Sequence, residues 1–238
     1  MISLLRILVR LWKGAMWLLL AAVLLLFTYE GSIYARVWWW NTHNPSSWSM
    51  LDQRIDALRD KDPKAVPQHT WVPYPRISAN LKLAVIAAED SAFVDHEGFD
   101  WEGMEKAYEK NRKKGRIVAG GSTITQQLAK NLFLSGQRSY VRKGQEAIIT
   151  WMLEDRMQKD RILEIYLNVV EWGNGVFGAE AAARHYYGVS AAQLSREQAA
   201  KLAAMLPNPR FYDRNRYAPY LLRYTGTILA RMNQVAAP

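Results

Sequence analysis

The chain contains no cysteine, which removes disulfide frameworks, thiol nucleophiles and thiolate metal sites from consideration at once. An oxidising compartment is thereby permitted and not required. Acidic residues are in deficit, with 22 Asp and Glu against 31 Lys and Arg, for a formal net charge of +9. That excess suits a polyanionic partner, whether nucleic acid, anionic lipid headgroups or a phosphorylated substrate. Strand-like alternation is scarce. What is present is 238 residues at 50% hydrophobic content, enough for one packed domain plus an appendage.

No acid occurs among the first thirteen residues, which carry Arg6, Arg10 and Lys13. Gly14 to Tyr29 then run uncharged, strongly apolar from Ala15 to Phe27, long enough to span a bilayer if Lys13 snorkels. Residues 1–44 therefore read as a cytoplasmic stub and an uncleaved transmembrane anchor. The basic flank puts the N-terminus in the cytoplasm and the remainder outside. The following TYEGSIYARVWWW lacks a small-x-small cleavage site, and Trp38, Trp39 and Trp40 read as an outer interfacial belt. Residues 45–76 read as a connector, with a short helical pattern at Leu51, Ile55 and Leu58 and then Pro63, Pro67, Pro73 and Pro75. Residues 77–238 form the main domain.

In that domain Ser78 is a plausible N-cap for a helix with Leu81, Val85 and Ala88 on one face. The helix delivers Glu89 and Asp90 at its C-terminus, where the helix dipole disfavours carboxylates, and Phe93, His96, Gly98 and Asp100 follow. A second cluster runs from Gly120 to Glu146. Thr123 and Gln126 fit a capping box, Ile124, Leu128 and Leu132 make a core face, and Thr123, Gln127 and Lys130 share a polar one. After Gly136 another helix carries Arg138, Arg142, Lys143 and Glu146. Amides, hydroxyls and fixed cations suit a ligand that is hydroxylated and multiply anionic, such as a sugar pyrophosphate. The plain alternative is a solvated i,i+4 ion pair on an amphipathic helix.

The pattern E-D-x-x-F-x-x-H-x-G-x-D from Glu89 to Asp100 resembles the first motif of the peptidoglycan glycosyltransferases. G-G-S-T-I-T-Q-Q-x-x-K-N from Gly120 to Asn131 and R-K-x-x-E from Arg142 to Glu146 resemble that family's second and third motifs. Similarity continues through Ile162 to Asn168, the Gly173–Gly178 turn and Leu202 to Pro209, and fades beyond. It implies a mainly α, lysozyme-like glycosyltransferase domain preceded by one N-terminal transmembrane helix. No S-x-x-K occurs, so the chain resembles the monofunctional members, not those fused to a transpeptidase.

The implied reaction is polymerisation of lipid II at the outer face of the bacterial inner membrane. The 4-hydroxyl of one disaccharide attacks the anomeric carbon of a growing chain, with inversion, and polyprenyl pyrophosphate leaves. The resemblance makes Glu89 the expected base. Lys130, Arg138, Arg142 and Lys143 are expected on the pyrophosphate, with Ser122, Thr123, Gln126, Gln127, Asp90, Phe93 and His96 as further substrate-binding candidates. His96 also reads as a structural residue, and Thr123 is already explained by capping. The resemblance also implies Glu146 as a second catalytic carboxylate, with three roles open to it: orienting these cations, acting near the anomeric centre or holding a divalent ion, Mg2+ or Mn2+. Implied partners are lipid II, the polyprenyl-linked glycan, the membrane and other cell-wall proteins; the outward topology argues against nucleic acid. Rival readings are a muramidase-like hydrolase and an inactive membrane-anchored scaffold. Finally, Trp101, Met104 and Tyr108 make one helical stripe, followed by Lys110, Arg112, Lys113, Lys114 and Arg116. That stripe is either core or lipid-facing.

Overall fold

Helix α1 (Ile2–Trp40) outruns the apolar segment that starts it. The computed structural model describes residues 2–60, 62–116, 120–137 and 139–238. Within it, Leu8–Trp40 is long and apolar enough to cross a membrane. The last turns are different: Ile33, Val37 and Trp40 are buried, and the Trp40 ring lies 5.2 Å from that of Phe133. Of the three tryptophans read as an interfacial belt, only Trp38 and Trp39 are exposed. Each helical residue turns about 100° from the last, which swings Trp40 onto the body. Gln145 Nε2 donates to Glu30 Oε2 at 3.0 Å, and Tyr34 Oη donates to Asp155 Oδ2 at 3.0 Å. Arg161 donates from Nε and Nη2 to the Trp40 carbonyl at 3.0 and 2.8 Å, placing a cation on the negative end of the helix.

Residues 45–76, expected to be a connector, belong to the body. Helix α2 (Ser49–Arg59) lies on a later helix, and Trp48, Leu51 and Val72 are buried. Strand β1 (Gln68–His69) enters a three-stranded sheet of order β1-β3-β2, where β2 is Glu171–Gly173 and β3 is Val176–Phe177. β1 is parallel to β3, and β2 is antiparallel to it. Proline removes backbone donors but not apolar surface, so a proline-punctuated stretch can still bury its other residues.

The remaining helices are α3 (Ala79–Glu89), α4 (Trp101–Lys114), α5 (Ile124–Phe133), α6 (Tyr140–Arg156) and α7 (Lys159–Val169). They are followed by α8 (Ala179–Tyr187), α9 (Arg196–Met205), α10 (Pro209–Arg214) and α11 (Pro219–Arg231). The expected starts are present: the Ser78 side chain accepts from Asn80 N, and Thr123–Gln126 closes a capping box, as does Ser195–Gln198 at the start of α9. Helix α3 packs on α9 and α11, while α5 packs on α6 and α7. In α5 the Ile124, Leu128 and Leu132 face is buried as its spacing requires. In α6 the apolar spacing of Val141, Ile148 and Met152 predicts one inward face; Met152 is buried, but Val141 and Ile148 are exposed, and Glu146, Ile149 and Leu153 are buried with Met152 where α6 packs on α5.

Asn168 joins the two halves of this architecture. Fully buried in α7, it accepts from Val72 N at 2.9 Å and donates to Val72 O at 2.9 Å and Glu164 O at 2.8 Å. Replacing it by leucine keeps the bulk but orphans both Val72 backbone groups, which should cost about 2–4 kcal/mol. The denaturation midpoint of Asn168→Leu checks this; an unchanged midpoint would remove Asn168 from the structural account.

Candidate active site

Glu89 and Asp90 are neighbours that face opposite duties. Asp90 is buried, accepting from Ile124 N at 2.9 Å and pairing with His96 Nε2 at 2.9 Å. Gly98 N donates to His96 Nδ1 at 3.1 Å, which leaves Nε2 as the nitrogen that donates to Asp90. Thr123 Oγ1 donates to Gly98 O at 2.8 Å, so the loop after α3 is tied to the start of α5. Gly98 has φ +86°, and a Cβ there would lie 2.7 Å from Thr150 Cγ2, so only glycine lets this loop sit against α6. Asp90, His96, Thr123 and Gln126 thus hold the loop and the helix cap together. Phe93 is fully buried, with Lys159 Nζ 4.7 Å from its ring centroid, and has no surface to offer a substrate.

Glu89 is left to the cleft. Gln127 Nε2 donates to Glu89 Oε2 at 2.8 Å, and the Tyr166 hydroxyl donates to Gln127 Oε1 at 3.0 Å. Burial pushes the Glu89 carboxyl above the usual carboxylate range, opposed by the Gln127 hydrogen bond and the Lys130 charge and assisted by Asp90. Lys130 lies between two carboxylates. Burial lowers its pKa, Glu146 and Glu89 pull it up, and Arg142 and Lys143 push it down. Arg142 Nη1 donates to Glu146 Oε2 at 2.8 Å and Lys143 Nζ pairs with Glu146 Oε1, while Glu146 itself is buried. Arg138 lies outside the described residues.

Two hollows flank this line. A cleft of about 570 Å³ is lined by Glu89, Ser122, Gln127, Tyr220, Tyr224 and Arg231. A trough of about 470 Å³ carries Lys130, Asn131, Arg142, Arg54, Glu171 and Arg210. Among the described residues the buried Asn131 Oδ1 and Arg142 Nε have no hydrogen-bond partner, and both residues line this trough, as a waiting polar ligand site would require. Sequence reasoning missed the α11 wall. Tyr224 donates to Ala88 O at 2.9 Å, and burial and then Glu89 push its hydroxyl up to about 12. The helical spacing of Tyr220, Tyr224, Thr227 and Arg231 was the available signal.

Among the described residues no cluster of three or more His, Asp or Glu is placed to hold a metal ion. Glu146, the carboxylate considered for that role, is already engaged by two cations. These donors do not fit a resident divalent ion.

A helical body holding a cleft-lining carboxylate beside a cation-lined trough suits a group transferase that takes an anionic donor. The family model described as Transglycosylase matches residues 56–233, and the chain belongs to that family. The biosynthetic peptidoglycan transglycosylase of Janthinobacterium sp. (strain Marseille) is 62% identical over 226 residues, covering 95% of this chain and 98% of that one. The protein of the same description from Herminiimonas arsenicoxydans shows the same identity and coverage. That from Azoarcus sp. (strain BH72) is 58% identical over 228 residues, 96% of this chain and 98% of the relative.

Proposed function

We propose that this chain polymerises lipid II into peptidoglycan glycan strands. The carrying observation is the line from Glu89 through Lys130 to Glu146, with a cleft-lining carboxylate at one end and cations paired to a buried carboxylate at the other. Glu89 takes the proton from the acceptor 4-hydroxyl as it attacks the anomeric carbon, and the C–O bond to pyrophosphate breaks with inversion. The departing pyrophosphate is stable as an anion, so it needs charge stabilisation more than a proton; Lys130, Arg142 and Lys143 supply it, with Glu146 holding the latter two. A hydrolase releasing a sugar alkoxide would instead need a general acid and little cationic density. A divalent cation, Mg2+ or Mn2+, would arrive on the pyrophosphate as part of the substrate. Purified protein given lipid II and Mg2+ should make polymer; cleavage of preformed glycan with no polymer would establish hydrolysis instead.

In this reading α1 spans the bacterial inner membrane with its N-terminus in the cytoplasm, and the body rests on the outer leaflet. The α1–α6 contact supports a fixed height, because α6 carries Glu146 and Arg142. Trp101 and Tyr108 extend the contact: both are exposed, at 70% and 66%, and the basic run through Arg116 follows them. Each such cation near an anionic surface contributes about 1 kcal/mol. A cut at residue 44 would remove Ile33, Val37 and Trp40 from the core, so the test uses the whole chain. With no native cysteine to interfere, a nitroxide on Trp101→Cys in vesicles reports its own depth. Collisions with lipid-soluble oxygen should dominate; full access to a water-soluble relaxer would place α4 clear of the bilayer.

A further inference from the structure

The hydrogen-bond line through Glu89 ends on a residue that the mechanism above does not use. Tyr166, on α7, is fully buried, and it reaches Glu89 only through the Gln127 amide. A primary amide is almost symmetric in shape, so packing alone does not decide which end faces the carboxylate. A fixed O–H donor does decide it. The phenol proton takes the carbonyl oxygen, and the N–H is left for Glu89. Burial, then Glu89 and Asp90, raise the Tyr166 hydroxyl well above its ordinary pKa, so it remains a donor wherever the enzyme works. With the amide reversed, its oxygen would face the carboxylate and favour the protonated acid.

We propose that Tyr166 is a positioning residue for glycosyl transfer: its donation to Gln127 Oε1 locks the amide N–H onto Glu89, keeping that carboxylate ionised and aimed into the cleft. The inference rests on reading Glu89 as the base. Among the described residues the other charged or titratable groups around Glu89 are Asp90 at its own helix end, Lys130 on α5, Tyr224, Tyr220 and Arg231 on α11, Asp100, the N-cap of α4, and Lys110 in the second half of α4. All of them are retained in Tyr166→Phe, which removes only the hydroxyl.

The test titrates the full chain, carrying 13C-carboxyl glutamate, in detergent, with the Glu89 resonance assigned by its loss in Glu89→Gln. In Tyr166→Phe the Glu89 midpoint should rise by about one pH unit, because a hydrogen bond to the ionised form is lost. The acid limb of kcat/KM for lipid II should move up with it, and the alkaline plateau should approach the wild-type rate. Gln127→Met should give a similar shift, and adding Tyr166→Phe to it should give no more, since the tyrosine acts only through the amide. An unmoved midpoint with a lower melting temperature and a uniform loss of rate would overturn the proposal, as would additive shifts. A midpoint that moves while the kinetic limb stays put would confirm the Tyr166–Gln127–Glu89 coupling but overturn Glu89 as the base, and with it the role of Tyr166 in glycosyl transfer.

Discussion

Glu89→Gln should reduce polymerisation by about 10²–10⁴, the usual worth of a positioned base, while lipid II binding stays within a few-fold. The amide keeps the side chain's shape and can still accept from Gln127 Nε2, but it takes no proton. The pH profile carries the sharper information. Glu89 acts only when ionised, and burial raises its pKa, so wild-type activity should fall on the acid side through a midpoint above the ordinary glutamate range. That limb should vanish in Glu89→Gln. Stopped-flow assays across pH check both statements; wild-type-like rates in the variant would remove Glu89 from the chemistry.

Lys130→Met should be nearly as damaging, with an expected loss of about 10²–10³, comparable to removing one donor from a transition-state charge site. Two effects add. The pyrophosphate loses a half-buried cation, and Glu89 loses a charge that holds its pKa down, so the acid limb should also move upward. Lys130→Arg keeps the charge and should retain more activity at high pH than Lys130→Met, though the larger fork fits this partly buried position less well. Equal damage in the two variants, with an unmoved limb, would show that Lys130 acts by shape alone.

Much of this site was legible in the residues. The capping box at Thr123, the inward face of α5 and the Arg142–Glu146 pairing are local consequences of helical geometry, and each is found as spaced. The long apolar helix at the N-terminus was equally legible, because length and apolarity are sequence properties. The sharing of work between Glu89 and Asp90 was not. Adjacent side chains leave a helix end in different directions, and only the placement of α5 shows that Ile124 N claims Asp90 while Gln127 claims Glu89.

Other boundaries were hidden for related reasons. Proline punctuation in 45–76 masked a segment that pairs with β3, since pairing depends on a strand roughly a hundred residues away. Trp40 and Val37 sit in the body although they continue an apolar helix, because the partner surface on α5 and α6 is invisible from their own neighbours. The α11 wall over Glu89 lay beyond the last recognisable motif, and nothing local ties Tyr224 to Ala88.

By itself, then, the sequence determined several of the helices and their caps, the long apolar run at the N-terminus and the inventory of carboxylates, amides and cations, because periodicity, capping and composition act over a few residues. Only the tertiary structure decided which carboxylate faces the cleft, that Lys130 lies between Glu89 and Glu146, and that Tyr166 hydrogen-bonds Gln127. Those facts depend on how α3, α5, α6 and α7 pack, and contacts between distant elements set both the low-dielectric surroundings and the pKa values that the chemistry uses.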